Sequence, residues 1–346
     1  MEGMARAPGA IKLLGEHAVL YGGVALSAAV ELYATARSGT NGTEKFSVRL
    51  SDISDSVFDF ESGRLDELLS AYKVSADIKD YVSNVSIQNR EALPYAIIAG
   101  RLQKEQGAKL LGTRVTITSE IPRGSGCASS AACFTAFTVA LASTLGIRSP
   151  DGTLVDIARD GDRITHLNKN AGALDVGASY YGGVVAVENG AVRPVAHAGE
   201  IPMVLIDTGP KRGTAEMIGV VAEQYKMDKS RTQALIEGLG SRARQGIAAL
   251  SNGDMAVLGR LMTESHGIFK QLGVSTPRLD EAVELSVKMG AYGAKLSGGG
   301  GGGLAVALTD REDIVEALRA RGFNATKAKI SSKGAISGFR TYSANL

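Results

Sequence analysis

Three glycine-rich segments of this 346-residue chain carry residue types suited to handling a polyphosphate. The most informative is Pro122-Arg123-Gly124-Ser125-Gly126-Cys127-Ala128-Ser129-Ser130-Ala131. It follows an alternating apolar/polar stretch and leads into an apolar one, so it joins a strand to a helix. A helix N-terminus presents unpaired N–H groups and the positive end of the helix dipole. Glycines ahead of it let backbone approach phosphate oxygens without a Cβ in the way. On this reading Pro122, Gly124, Ser125, Gly126, Cys127, Ala128, Ser129 and Ser130 line the phosphates. Ser129 and Ser130 can cap the helix, and one hydroxyl is free to ligate Mg²⁺. The segment is not a Walker A loop, because no Gly-Lys-Ser/Thr follows, and it lacks the third glycine of a dinucleotide fingerprint. An ordinary capped helix after a turn accounts for the same residues equally well.

Toward the other end, Lys295-Leu296-Ser297 runs into six consecutive glycines, 298–303, before the apolar string 304–308. Ordering six glycines costs much conformational entropy. Close approach of the backbone to a ligand or to another loop would justify it; the alternative is a flexible turn, a purpose that a shorter turn would serve more simply. The third segment runs from Ala7-Pro8-Gly9-Ala10-Ile11-Lys12 through Gly15-Glu16-His17-Ala18-Val19 to Gly22-Gly23. It sets a Glu-His pair at a strand end. A lone histidine is more often structural than catalytic, so this pair does not decide a function by itself.

The elements that must position these groups read as mixed α and β. Residues 4–38 suggest two strands around a turn at 21–23, and 46–60 further strands. Residues 61–80 look helical and polar. An amphipathic helix fits 91–106, with Ala92, Ala96, Ala99 and Leu102 on one face. Period-two alternation of Val115, Ile117 and Ile121 marks a strand over 113–121. The helix from Ser129 to about Leu145 is apolar nearly all round, which predicts burial. Helices are expected over 151–167, most of 213–271, 276–290 and 311–321, and strands at 183–187, 202–207, 304–308 and near 326–330. This order is not strict βαβ repetition. It implies an α+β, two-lobed chain with a boundary near 190–200, dividing 1–195 from 196–346.

Composition narrows the function classes. Lys+Arg 38 against Asp+Glu 36 leaves almost no net field, and no basic run offers a nucleic-acid patch. Glycine stands at 43 residues, well above the usual ~7%. The two cysteines, Cys127 and Cys133, suggest neither a disulfide framework nor a metal site. No N-terminal basic region precedes an apolar core, and no stretch reads as a membrane span, so a cytoplasmic protein is expected.

Taken together and in this order, the three segments resemble the motifs of the GHMP kinases, the superfamily of galactokinase, homoserine kinase, mevalonate kinase and phosphomevalonate kinase. Gly15-Glu16-His17-Ala18-Val19 is most similar to the mevalonate kinase branch, in its archaeal form; galactokinases carry Thr-Asp after the histidine. Asp207-Thr208-Gly209 with Arg212-Gly213-Thr214, Ser265-His266, the run from Leu272 to Asp280, and Gly293-Ala294-Lys295-Leu296 extend the resemblance over most of the chain. It is weakest in 40–90 and 215–250.

The resemblance implies a GHMP kinase fold: an N-terminal, ATP-binding lobe like the second domain of ribosomal protein S5, and a ferredoxin-like C-terminal lobe. It implies ATP as co-substrate, Mg²⁺, mevalonate as acceptor at its 5-hydroxyl, a homodimer, and neither nucleic acid nor membrane as partner. Asp175 in Gly172-Ala173-Leu174-Asp175 becomes the catalytic base, with helix capping as its alternative. Ser130 and Asp162 become Mg²⁺ ligands, Asp162 standing where the family has Glu; an exposed helix charge is the alternative for it. Glu16, His17 and Thr214 become substrate-binding residues. Ser297, Gly298, Gly299, Gly300 and Gly301 form the third motif. Two positions depart from the family. Ala10 stands where a lysine is usual, and Lys12, two residues on and on the same side of a strand, is the residue that would replace it. Ala128 stands where glycine is usual. The competing expectations are a GHMP kinase for another hydroxy acid or sugar, such as shikimate, and a catalytically weak regulatory homologue.

Overall fold

The computed structural model describes residues 2–51, 54–87, 89–122, 124–148 and 152–338. Arg123 of the 122–126 loop and residue 151, where a helix was expected to start, fall outside that set. Two long strands, β1 (Gly3–Leu14) and β2 (Ala25–Thr40), form the antiparallel spine of the first sheet. The turn expected at 21–23 is broader: the strands stop at Leu14 and restart at Ala25, with a 3₁₀ turn, Ala18–Tyr21, between them. The reason is that Glu16 and His17 are drawn into bonds with the second lobe, described below.

Around that spine lie β3 (Phe46–Leu50), β4 (Ser56–Phe60), β5 (Thr113–Ser119), β6 (Val184–Glu188), β7 (Ala191–Val195) and β12 (Ile336–Gly338). The order is β12-β1-β2-β5-β3-β4, with β6 on the other part of β2 and β7 on β6. β7 carries Pro194 and sits at an edge, where a missing N–H is tolerated. Helices α1 (Ser62–Val74), α2 (Ile78–Asn84), α3 (Leu93–Gln106), α4 (Ser129–Thr144), α5 (Thr153–Thr165) and α6 (Ala173–Tyr181) belong to this half. As the apolar sequence of α4 requires, that helix is buried, packed on β1 and β2.

The second sheet is antiparallel, in the order β11-β8-β10-β9: β8 (Met203–Asp207), β9 (Gly293–Leu296), β10 (Leu304–Leu308) and β11 (Asn324–Ala328). Helices α7 (Thr214–Met227), α8 (Lys229–Asn252), α9 (Met255–Gln271), α10 (Pro277–Lys288) and α11 (Asp313–Ala320) accompany it. One face of this sheet, with Val204 and Ile206, packs with Phe269 and Leu318 in a core of its own, while the other face, with Met203, Leu205, Leu304, Val306 and Leu308, joins the large core that also holds Ala5, Phe46 and Phe137. After β11 the chain returns to the first sheet, where β12 pairs with β1. Among the described residues no helix is long and apolar enough to cross a membrane.

Candidate active site

β1 carries the first charged group of the site. Lys12 Nζ lies 2.6 Å from Asp175 Oδ1 and 2.8 Å from Oδ2, with both side chains largely buried. Burial works against the ammonium, but the charge and hydrogen bond of Asp175 outweigh it, and the Lys12 pKa is raised. Lys12 is therefore a fixed cation at neutral pH. Asp175 stands in the first turn of α6, whose N-cap, Gly172, has φ +86°. A Cβ on Gly172 would lie 3.0 Å from Asp162 Cβ, so this glycine lets α6 start directly against the next carboxylate. Ala10 is fully buried among Ala178 and Val185, and its N–H donates to Cys127 O at 3.0 Å.

The loop into α4 differs from expectation at its serines. Neither Ser129 nor Ser130 caps the helix. The N-cap is Ala128, in left-handed conformation with φ 55°, and among the described residues no side chain caps the first helical N–H groups. Ser130 Oγ instead donates to Asp162 Oδ1 at 2.9 Å, and Ser129 Oγ lies 3.4 Å from Ser119 Oγ. A side-chain acceptor thirty-two positions away outcompetes the local cap. Asp162 is buried on α5; desolvation raises its pKa, with His166 opposing and Asp175 adding to the rise. Its Oδ2 is buried with no partner among the described residues. Within the loop, Ser125 N–H donates to Pro122 O at 3.2 Å and Cys127 N–H to Ser125 Oγ at 3.4 Å. Burial pushes the Cys127 thiol up. A Cβ on Gly126 would stand 2.9 Å from Leu304 Cβ, so the loop rests on β10 of the other sheet, while among the described residues a Cβ on Gly124 would meet nothing within 4 Å.

Glu16 and His17 meet the third segment. Glu16 Oε1 is ion-paired with Lys295 Nζ, both side chains being buried, and also accepts from Gly298 N–H at 3.4 Å. Burial lowers the Lys295 pKa while Glu16 opposes the shift. His17, held at φ 62°, donates from Nε2 to Gly299 O at 3.0 Å. Burial lowers its pKa, so the ring is neutral. Among the described residues Glu16 Oε2 and His17 Nδ1 are each buried without a partner. Ser297 Oγ accepts from Lys12 N–H at 3.0 Å, which ties the third segment to the lysine of the first. Lys295 went unremarked in the sequence as a site residue. Its signal was a charge inside an otherwise apolar four-residue strand.

The glycine run is packed against the protein's own loops. A Cβ on Gly300 would fall 2.2 Å from Val274 O, and one on Gly302 2.2 Å from Pro210 O. Gly301 O accepts from Arg212 N–H at 2.9 Å. Thr214, at the start of α7, lies against Gly299, and no hydrogen bond joins it to Asp175. The arrangement thus brings together Lys12, Asp175, Asp162 and Ser130 on one side, and Glu16, His17, Ser297 and the glycines on the other, with Thr214 at the margin.

The sequence profile described as GHMP kinases N terminal domain matches residues 92–183, and that described as GHMP kinases C terminal matches 247–325. A mevalonate kinase of Pyrococcus horikoshii is 30% identical over 96% of both chains, and one of Arabidopsis thaliana is 28% identical over 97% of this chain and 99% of its own. Among solved structures, an L. major mevalonate kinase in complex with R-mevalonate superposes with a TM-score of 0.70 at 25% identity, covering 94% of each chain. A Lactococcus lactis galactokinase complexed with galactose shares the fold, with a TM-score of 0.76 at 19% identity over 97% and 95% of the two chains. With full-length relatives at this identity and both halves of the family profile matched in order, the chain belongs to the GHMP kinase family.

Proposed function

We propose that this kinase transfers the γ-phosphoryl group of ATP to the 5-hydroxyl of mevalonate. The observation that carries the reading is the Lys12–Asp175 pair beside an α4 N-terminus that no side chain caps. Phosphoryl transfer needs a positioned acceptor, a proton acceptor and neutralisation of phosphate charge. Asp175 takes the hydroxyl proton. Lys12 holds Asp175 in place and offsets charge on the oxygen that attacks, the task for which the family uses a lysine at the position of Ala10. The loop backbone at Gly124, Ser125, Gly126, Cys127 and Ala128, with the first N–H groups of α4, receives the phosphates.

The donor set at Ser130 and Asp162 fits Mg²⁺, which prefers oxygen ligands and is held by one or two carboxylates together with substrate phosphates. The unpartnered, buried Oδ2 of Asp162 is the group that suits it. When bound, the ion neutralises phosphate charge. Glu16 Oε2 and His17 Nδ1 are the free polar atoms for the acceptor, and Thr214 with Ser297, Gly298 and Gly299 closes over it. We place the lobe division at 195–196, which the change of sheet between Val195 and Met203 supports. A cytoplasmic homodimer completes the reading.

The test is ADP release with Mg·ATP and mevalonate, run beside shikimate and galactose. Turnover confined to mevalonate is expected. Turnover with shikimate or galactose alone would reassign the acceptor, and none with any of them would remove the reading.

A further inference from the structure

The loop between β8 and α7 brings one more cation to the site. It is strapped to the glycine run: Thr208 donates to Gly303 O from both N–H (2.8 Å) and Oγ1 (2.7 Å), and Arg212 N–H bonds Gly301 O. The stem of Lys211 occupies space that a side chain at residue 303 would need. A Cβ there would lie 3.0 Å from Lys211 Cδ, 3.2 Å from its Cβ and 3.3 Å from its Cγ. The ammonium then ends beside Gly298, 3.9 Å from where a Cβ on that residue would stand. Gly298 follows Ser297, whose hydroxyl bonds Lys12. Among the described residues Lys211 has no hydrogen bond and no ion pair, whereas its neighbour Arg212 is paired with Glu216. Lys211 nonetheless feels the charges of both Lys12 and Asp175. Burial and the like charge of Lys12 lower its pKa, and Asp175 opposes them. A cation without its own counter-ion, beside another cation, is an arrangement that an incoming anion relieves.

We propose that Lys211 is a second catalytic cation, whose ammonium contacts the transferring phosphoryl group from the second lobe while Lys12 serves the same centre from the first. The inference rests on the kinase reading above. In the step it assists, the bond from phosphorus to the ADP oxygen breaks, the bond to the acceptor oxygen forms, and the hydroxyl proton passes to Asp175. Charge spread over the phosphoryl oxygens is what the two ammonium groups offset. The glycines at 302 and 303 acquire a purpose in this arrangement, since they admit the loop and the lysine stem that deliver the charge.

Although its ammonium end is partly enclosed by the site, Lys211 as a whole residue is exposed and makes no bond the fold depends on, so Lys211→Ala should fold, which a thermal melt checks. With mevalonate as acceptor, kcat should fall roughly 10- to 100-fold, less than for a fully enclosed donor, with KM for mevalonate little changed and Lys211→Arg recovering part of the loss. Calorimetric titration should show weaker binding of AMPPNP by about tenfold and unchanged binding of ADP, which lacks the group Lys211 is proposed to touch. An unchanged kcat together with unchanged AMPPNP affinity overturns the proposal. A rise in KM for mevalonate alone also overturns it, because Lys211 would then serve the acceptor carboxylate. If the wild-type enzyme does not turn mevalonate over, the acceptor reading fails, and the pair of titrations still decides Lys211.

Discussion

The two glycine-rich segments facing each other across the site look alike in sequence and are built for opposite ends. In the loop before α4 one glycine, Gly126, packs on Leu304, but a Cβ at Gly124 would meet nothing within 4 Å, and no side chain caps the helix. In the run at 298–303 the glycines are consumed by the protein itself, at Val274, Pro210 and Lys211. One segment is an open cradle and the other a seam between loops. A glycine cluster therefore announces close approach without saying what approaches, and only the surrounding acceptors and donors tell ligand from loop.

The largest effect should come from the chemistry beside the cradle. Asp175→Asn should lower kcat by about 10³-fold, as expected for loss of a general base, while AMPPNP still binds. Steady-state kinetics with a parallel titration checks this. Lys12→Ala should lose turnover on a similar scale, and unchanged turnover there would show that Lys12 does not stand in for the lysine missing at Ala10.

The next effect separates the two segments by stability. Gly302→Ala places a Cβ against Pro210 O at φ +105° and should cost more than about 3 kcal/mol in urea unfolding. Gly124→Ala meets open space and should cost only the left-handed strain, about 1–2 kcal/mol. Equal costs would dissolve the contrast between seam and cradle.

A pH effect of intermediate size sharpens it from behind the seam. His266 Nδ1 accepts from Leu296 N–H at 3.4 Å, and Nε2 donates to Asp280 Oδ1 at 3.1 Å. Burial, with Asp280 opposing, lowers its pKa from 6.5 to about 4. Between those values the unfolded chain binds the proton and the folded one does not, so stability falls as pH drops through this window. The full loss is about 3 kcal/mol. Denaturant titrations at pH 7 and near pH 4 should show it, and His266→Gln should flatten the slope. The smallest effect returns to the cradle. Ala128→Gly removes left-handed strain at φ 55° but adds unfolded-state entropy, for a net gain below about 1 kcal/mol by thermal melt.

Much of the frame was legible. The passage from β5 through the loop to α4 changes period from two to continuously apolar, and the structure places strand, loop and buried helix there. β10 and β8 are short apolar runs and were equally plain. What stayed hidden was short or made by distant partners. β9 has only four residues, and α6 mixes a glycine with two tyrosines. β12 is three residues long and owes its place to β1. The serines at 129 and 130 read as caps because their true partners, Ser119 and Asp162, are set by packing and not by local spacing. Lys295 shows the same limit: its meaning depends on Glu16, 279 positions earlier.

Hydrogen–deuterium exchange with and without Mg·AMPPNP tests the division between cradle and seam most directly. Amides at 126 and 128–130 should exchange fast in the free protein and slow on adding the nucleotide, while that of Gly301, whose N–H donates to Val274 O, should be protected already and change little. Protection appearing in the glycine run with none in the loop before α4 would contradict the account.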